Sequence, residues 1–260
     1  MRPERALTVR DVANGGRRIV CWFSCGAASA VATKLALANF TGQEILIVRT
    51  VIDSEHADND RFAADCARWF NQSVINIRSE KYRDHWQVIE ERRYISGHAG
   101  ALCTTELKKI PRFAFQRPDD IQVFGYTVEE GPRIARFREA NPEVDLRTPL
   151  VDAGLGKADC LAIIGRAGIE LPAMYRLGFN NNNCIGCSKA TGAGYWNRIR
   201  RHFPDAFARM ARAQRAIGYT QVKLNGEPIY LDELSPDAGK HEEPEIDCSL
   251  LCYAAESVIA

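Results

Sequence analysis

The chain has 260 residues, 46% of them hydrophobic and 26% charged, the balance of a globular protein with a sizeable core. Its 34 Lys and Arg residues meet 33 Asp and Glu, and a net charge of +1 supplies no whole-molecule field toward nucleic acid or an anionic membrane. No apolar run approaches the roughly 18–20 residues that span a bilayer, and the first residues lack the apolar segment of a secretory leader, so a cytoplasmic location and no membrane partner are expected.

Residues 1–16 show no periodicity, end in Asn14-Gly15-Gly16 and read as a mobile leader. Residues 18–23 (RIVCWF) form a short apolar run, a Ser/Gly turn follows, and 27–40 carry Ala and Leu at helical spacing. Residues 44–52 read as a second strand. Residues 58–70 form an amphipathic helix with Phe62, Cys66, Trp69 and Phe70 three and four apart. A strand at 73–77, a helix at 85–94 and a strand at 121–124 continue the alternation, which indicates βαβ units. The expected fold is α/β, a Rossmann-like doubly wound parallel sheet with helices on both faces. After Pro149 the pattern becomes helical, at 158–168 and 195–217, around a Gly/Asn-rich loop at 178–194. We therefore expect a nucleotide-binding α/β domain over 17–150 and a helical, cysteine-containing C-terminal region over 151–260 packed on that same domain.

Nine cysteines, an odd number in a chain long enough to need no staples, argue against a disulfide scaffold and for metal binding or chemistry. Cys184 and Cys187 form a Cys-x-x-Cys pair on the Gly/Asn-rich loop, a spacing that puts two sulfurs on one metal. Cys103 is a candidate third ligand, and Cys248 and Cys252 bring two more. Zinc and a four-iron, four-sulfur cluster both accept such donors. Cys21, Cys66 and Cys160 lie in apolar patterns and read as buried small hydrophobes.

Ser24-Cys25-Gly26-Ala27-Ala28-Ser29 stands between the first strand and first helix, where small residues let backbone N–H groups reach a phosphate and the helix end adds positive charge. The bland alternative is a tight strand–helix turn. Asp53 follows the second strand and is the candidate for a nucleoside or Mg²⁺ contact, whereas Asp58 and Asp60 are explained as acids complementing a helix dipole. Lys108, and Arg133 with Arg136 in the Gly125 to Arg136 segment, are candidates for gripping phosphate oxygens, and the two arginines could equally pair with Glu129 and Glu130 on a solvated helix start. Arg198, Arg200, Arg201, His202, Arg209, Arg212 and Arg215 give a late helix a basic face, read as solvated, with docking of a nucleic-acid substrate as the alternative.

In this order the segments resemble the phosphoadenosine phosphosulfate reductase family within the PP-loop superfamily of ATP pyrophosphatases, over about residues 17–252. Ser24 to Ser29 sits where that family has its pyrophosphate loop. Cys103-Thr104 with Leu107-Lys108 and Pro111 resembles its Cys-Thr-x-x-Leu-Lys block, and Gly125 to Arg133 its Gly-x-x-x-x-Glu-x-x-Arg block. Pro172, Tyr175, Gly178-Phe179 and Cys184-x-x-Cys187 resemble its late signature. The resemblance implies an adenine nucleotide, ATP with Mg²⁺, held by Ser24, Cys25, Gly26, Ala27 and Ser29 with Asp53, Lys108, Gly125 and Arg133. It also implies a four-iron, four-sulfur cluster on Cys103, Cys184 and Cys187, with Cys248, Cys252 or an open iron in fourth place.

The chain departs from the family pattern at Cys25, which replaces a glycine, and at Ala28, which replaces the aspartate of the ATP-cleaving loop. The expected activity is ATP-dependent sulfur transfer onto an adenylated acceptor, with a sulfur donor as partner. One alternative is a sulfonucleotide reductase in which Cys248 attacks sulfur and a thioredoxin-like reductant resolves the product. Another is a non-catalytic nucleotide- and zinc-binding regulatory module.

Overall fold

The computed structural model describes residues 17–98, 100–240, 246 and 249–259. The expected leader and Cys248 lie outside the described residues. The first strand, β1 (Ile19–Trp22), is apolar throughout and almost wholly buried, as a strand covered on both faces must be. The chain then alternates through α1 (Ala27–Asn39), β2 (Ile45–Thr50), α2 (Asp58–Phe70), β3 (Val74–Ile77) and α3 (His85–Arg92).

Two short helical turns, Leu102–Thr104 and Thr105–Lys109, lead into α4 (Ile110–Phe115). Next come β4 (Ile121–Val123), α5 (Gly131–Ala140), β5 (Asp145–Arg147), α6 (Pro149–Asp152), α7 (Lys157–Arg166) and α8 (Ala173–Arg176). Helices α9 (Ala193–His202) and α10 (Pro204–Ile217), a hairpin of β6 (Val222–Leu224) and β7 (Glu227–Ile229), and α11 (Leu250–Ile259) complete the order.

The sheet runs β3-β2-β1-β4-β5 with every neighbour parallel, so the doubly wound α/β fold expected from the alternation is the fold observed. Strand order reverses at β1: the chain moves outward through β2 and β3, then returns to β4 on the opposite side. The crevice beyond the carboxyl ends of β1 and β4 is where such sheets bind ligands. Edge strand β5 is only three residues long and carries Asp145 and Arg147, too short and too charged to show as an apolar run.

Helix α1 is Ala-rich with no charged first or last turn, and it is buried against α6, α7 and α11 as well as the sheet. Helix α2 is amphipathic. Phe62, Ala63, Cys66 and Phe70 face inward while Asp58 and Asp60 occupy its first turn, as the dipole reading of those acids requires. The expected single helix at 195–217 is two. Phe203 leaves helical geometry and Pro204 opens α10 at its first position, where a missing N–H costs nothing.

Residues from both sides of Pro149 share the main core, in which Ile19, Ile47 and Phe62 join Leu161, Ile163 and Ile164 of α7. A second core forms where α9, α10 and the hairpin meet α3, with Trp86 and Ile89 among Trp196, Ile199, Phe207 and Met210. Cys21, Cys66 and Cys160 are buried free thiols in the main core, as their apolar patterns suggested. Among the described residues no helix is long and apolar enough to cross a membrane.

Candidate functional site

A cleft of about 700 Å³ opens at the switch point, lined by the turn after β1, the ends of β2 and β4, and side chains from the segments around Lys108, Arg133 and Asn182. Ser24, Gly26 and Ser29 line it. The Ser29 hydroxyl is a local hub, donating to Gly26 O at 2.9 Å and accepting from Ser24 N at 3.1 Å. Gly26 at the start of α1 has no side chain to cap the helix, though the Tyr175 hydroxyl hydrogen-bonds the Ala27 backbone there, so the positive helix end faces the cleft with Tyr175 beside it.

Cys25 is the one non-glycine residue of this turn with a positive φ, 57°, and its thiol points into the core, where burial pushes it up to about 12. Its contribution to the cleft is therefore backbone. Gly125, just past β4, closes the turn from the other side. A Cβ there would stand 2.7 Å from Ser29 N and Ser29 Cα, which leaves no room for a side chain.

The expected acid does not reach this cleft. Asp53 is exposed and pairs with Arg78, outside the lining residues. Two positions on, Glu55 does line it, with its side chain buried and Oε1 3.7 Å from Lys108 Nζ. Burial pushes the Glu55 carboxyl up, against the downward pull of Lys108 and Arg49. Burial alone would lower Lys108, but Glu55 and the sulfurs of Cys184, Cys187 and Cys103 outweigh it and hold the ammonium above its ordinary value. Lys108 sits on the Thr105–Lys109 turn, which is π-helical, with Ile110 N–H bonded back to Thr105 O. Pro111 follows and has no N–H for an ordinary helical bond, a local reason for the widened turn.

The cysteine loop is held by side chains. Asn182 donates to Cys25 O at 2.6 Å and to Asn59 Oδ1 at 2.8 Å, and Asn59 donates in turn to Glu55 Oε2 at 3.2 Å. A continuous polar chain thus runs from the turn after β1 through Asn182, Asn59 and Glu55 to Lys108. His85 bonds to Gly186 O at 3.1 Å through Nε2 and to the Ser54 hydroxyl at 2.6 Å through Nδ1. Burial lowers His85 to about 4, so the ring is neutral, with Nε2–H donating and Ser54 donating to Nδ1. Cys187 N donates to Tyr195 OH at 2.9 Å, and Cys103 Sγ lies 3.1 Å from Ser188 Oγ.

Three predicted sulfurs, Cys103, Cys184 and Cys187, are therefore neighbours around Lys108. Burial pushes Cys184 up to about 12 and raises Cys187 as well, so both are thiols unless a metal displaces the proton. Among the described residues no three or more His, Cys, Asp or Glu form a group that could hold a metal ion as they stand. In kind, three soft sulfurs with one place unfilled suit an iron–sulfur cluster with an open position better than structural zinc, which closes on four protein ligands. Cys252 does not complete the set. It is disulfide-bonded and packs against α7, where its sulfur meets Arg166 and Asp159 O.

Arg133 lines the cleft as expected, over the Tyr126 ring at 5.0 Å and paired with Glu130 at 2.5 Å. The basic helix face is largely consumed inside the protein. Arg200 donates to Leu231 O and Leu234 O, Arg209 pairs with Glu90, and Arg215 with Asp232 and Glu233. Asn182, Glu55, Tyr126 and Arg112 are the cleft residues that sequence reasoning missed. Asn182 stood in plain view in the Asn180 to Asn183 run, but no periodicity distinguishes the one asparagine that turns inward. No protein-family model matches the chain, and no curated protein matches it.

Proposed function

We propose that this protein is an enzyme that binds an adenine nucleotide at the Ser24 to Ser29 turn and couples it to sulfur chemistry at Cys103, Cys184 and Cys187, as the resemblance to the phosphoadenosine phosphosulfate reductase family implies. The observation that carries the proposal is the polar chain from Cys25 O through Asn182, Asn59 and Glu55 to Lys108, which ties the turn at the switch point to the three sulfurs. On this reading turn and sulfurs would work as one site, the sulfurs standing behind Lys108 rather than among the residues that line the cleft.

The residues divide the work by charge. The positive end of α1 and the hydroxyls of Ser24 and Ser29 hold the phosphates, and Gly125 keeps the opposite wall close to them. Lys108 and Arg133 add positive charge where the phosphate oxygens gather negative charge. Ala28 offers no carboxylate to Mg²⁺, so Mg²⁺ would ride on the phosphates, with Glu55 as the acid that lines the cleft. Cys103, Cys184 and Cys187 would hold a four-iron, four-sulfur cluster, whose open iron supplies a place for a labile sulfur. Ser54 and His85 fix the loop that presents two of these sulfurs.

The test is anaerobic purification followed by iron and acid-labile sulfide analysis, with pyrophosphate release from ATP measured beside it. Brown protein with iron and sulfide in equal amounts, and ATP binding lost in Gly125→Ala, is the expected result. Colourless protein that holds zinc and binds no ATP would overturn the proposal.

A further inference from the structure

We propose that the β4 side of the cleft is a second binding site, for a base of single-stranded nucleic acid, distinct from the adenine nucleotide at the turn after β1. The inference rests on the functional reading above and names the class of its acceptor.

The two flanks of the cleft differ in chemistry. Toward β2 it is lined by Val48, Thr50 and Glu55, and toward β4 by an aromatic and cationic wall. Phe124 and Tyr126 are stacked, with ring centroids 5.6 Å apart and planes at 17°, and Phe137 closes on Phe124 at 5.3 Å. The Arg112 guanidinium lies over Phe124 and Phe137 at 5.5 and 5.6 Å, and its Nε is buried with no hydrogen-bond partner. A buried guanidinium N–H without an acceptor is costly to leave unmade, and the rest of the Arg112 side chain lines the cleft, where a base edge or phosphate oxygen can meet it.

Charge points the same way. Arg112, Lys109, Arg136 and Lys189 all line the cleft, and among the described residues none of them forms an ion pair. Flat π faces joined to unneutralised cations are what stacked bases on a phosphate backbone require. The wall continues out of the cleft along α4, where Arg112 also lies 4.7 Å over Phe113, itself half exposed, with Ile110 exposed one turn earlier. An apolar and aromatic path that leaves the cleft suits a strand better than a free nucleotide. The basic face of α9 and α10, the other candidate for docking, spends Arg200, Arg209 and Arg215 on internal partners.

The experiment measures fluorescence anisotropy of labelled single-stranded DNA and RNA oligonucleotides with the full chain, alone and with a saturating non-hydrolysable ATP analogue. Expected are binding of a strand that the ATP analogue does not displace, and a loss of roughly tenfold in affinity in both Arg112→Gln and Phe137→Leu, within the range of a lost stacking contact. Arg212→Ala, on the exposed face of α10, leaves strand binding unchanged. Phe137→Leu keeps the test alive if Arg112→Gln fails to fold.

Competition between strand and ATP analogue would overturn the inference while leaving the functional reading intact, because the wall would then hold the adenine itself. A mononucleotide that binds as tightly as a strand, or no strand binding at all, would also overturn it. Absence of ATP binding with strand binding retained would count against the functional reading alone.

Discussion

The turn after β1 and the cysteine loop meet at one site, yet they are held by opposite means. The first is fixed by backbone: two parallel strands end beside it, α1 begins in it, and Gly125 lets β4 approach within contact of Ser29. The second, from Asn180 to Ser188, has no regular structure and, apart from a backbone bond from Ile185 N to Ser54 O, is pinned by single side chains, with Asn182, His85 and Tyr195 each bonding a different stretch. Backbone-held geometry tolerates most side-chain changes and fails when a Cβ intrudes. Side-chain-held geometry fails one hydrogen bond at a time.

The sharpest way to break the comparison is Gly125→Ala. Its methyl would meet the Ser29 backbone at 2.7 Å, and backbone cannot swing aside as a side chain can. A loss of about 3 kcal/mol is expected, the upper range for overpacking, with nucleotide binding abolished. Denaturant melts and ATP titration check it, and a stable variant that binds ATP normally would mean the turn is not backbone-locked.

On the other loop, pH should do what Gly125→Ala does on the first. His85 is held near 4 while an unfolded histidine titrates near its usual value of 6.5. As pH falls through that interval the unfolded chain takes up a proton that the folded chain refuses, so stability is lost between about pH 6.5 and 4, by up to roughly 3 kcal/mol. Thermal melts of the wild type against His85→Gln measure it. The variant should show a flatter profile across that interval, and identical profiles would remove His85 as the cause.

Asn182→Ala tests the bolt between the two regions. It leaves Cys25 O and Asn59 Oδ1 without their donor, a loss of about 2 kcal/mol for buried acceptors. If the polar chain couples the site, ATP affinity and the reactivity of Cys187 toward a thiol reagent change together. A change in only one of them would separate the loops. The smallest effect is expected for Arg215→Ala, which removes exposed ion pairs to Asp232 and Glu233 outside the residues that line the cleft, a cost under about 1 kcal/mol with ligand binding unchanged.

What could be read from the chain follows the same division. The strands β1 and β2 and helices α1 and α2 show as apolar runs and helical spacing because each must bury a face whatever its neighbours are. Strand β5 does not show as an element, and helix α5 shows only as a solvated helix start near Glu129 and Glu130. Their charged residues, Arg133 to Glu139 and Asp145 with Arg147, mask a few inward positions such as Ile134 and Leu146. At the site, Ser24 to Ser29, Gly125 and Lys108 were legible from residue type and place beside a strand end. Asp53, read by the same logic, lies outside the cleft, and Glu55 two residues on lines it, because the path of the chain after the strand decides which acid points inward.

By itself, then, the sequence determined the alternating parallel sheet and the small-residue turn at its first strand, since periodicity and the placement of small residues are local properties. Only the tertiary structure decided that Cys103 joins Cys184 and Cys187, that Cys252 stands apart, that the late arginines are largely paired, and that Asn182 and Glu55 carry the connection to Lys108. The longest of those contacts spans 157 residues of chain, and the strand order that brings its ends together is set by packing of the whole sheet rather than by any one segment.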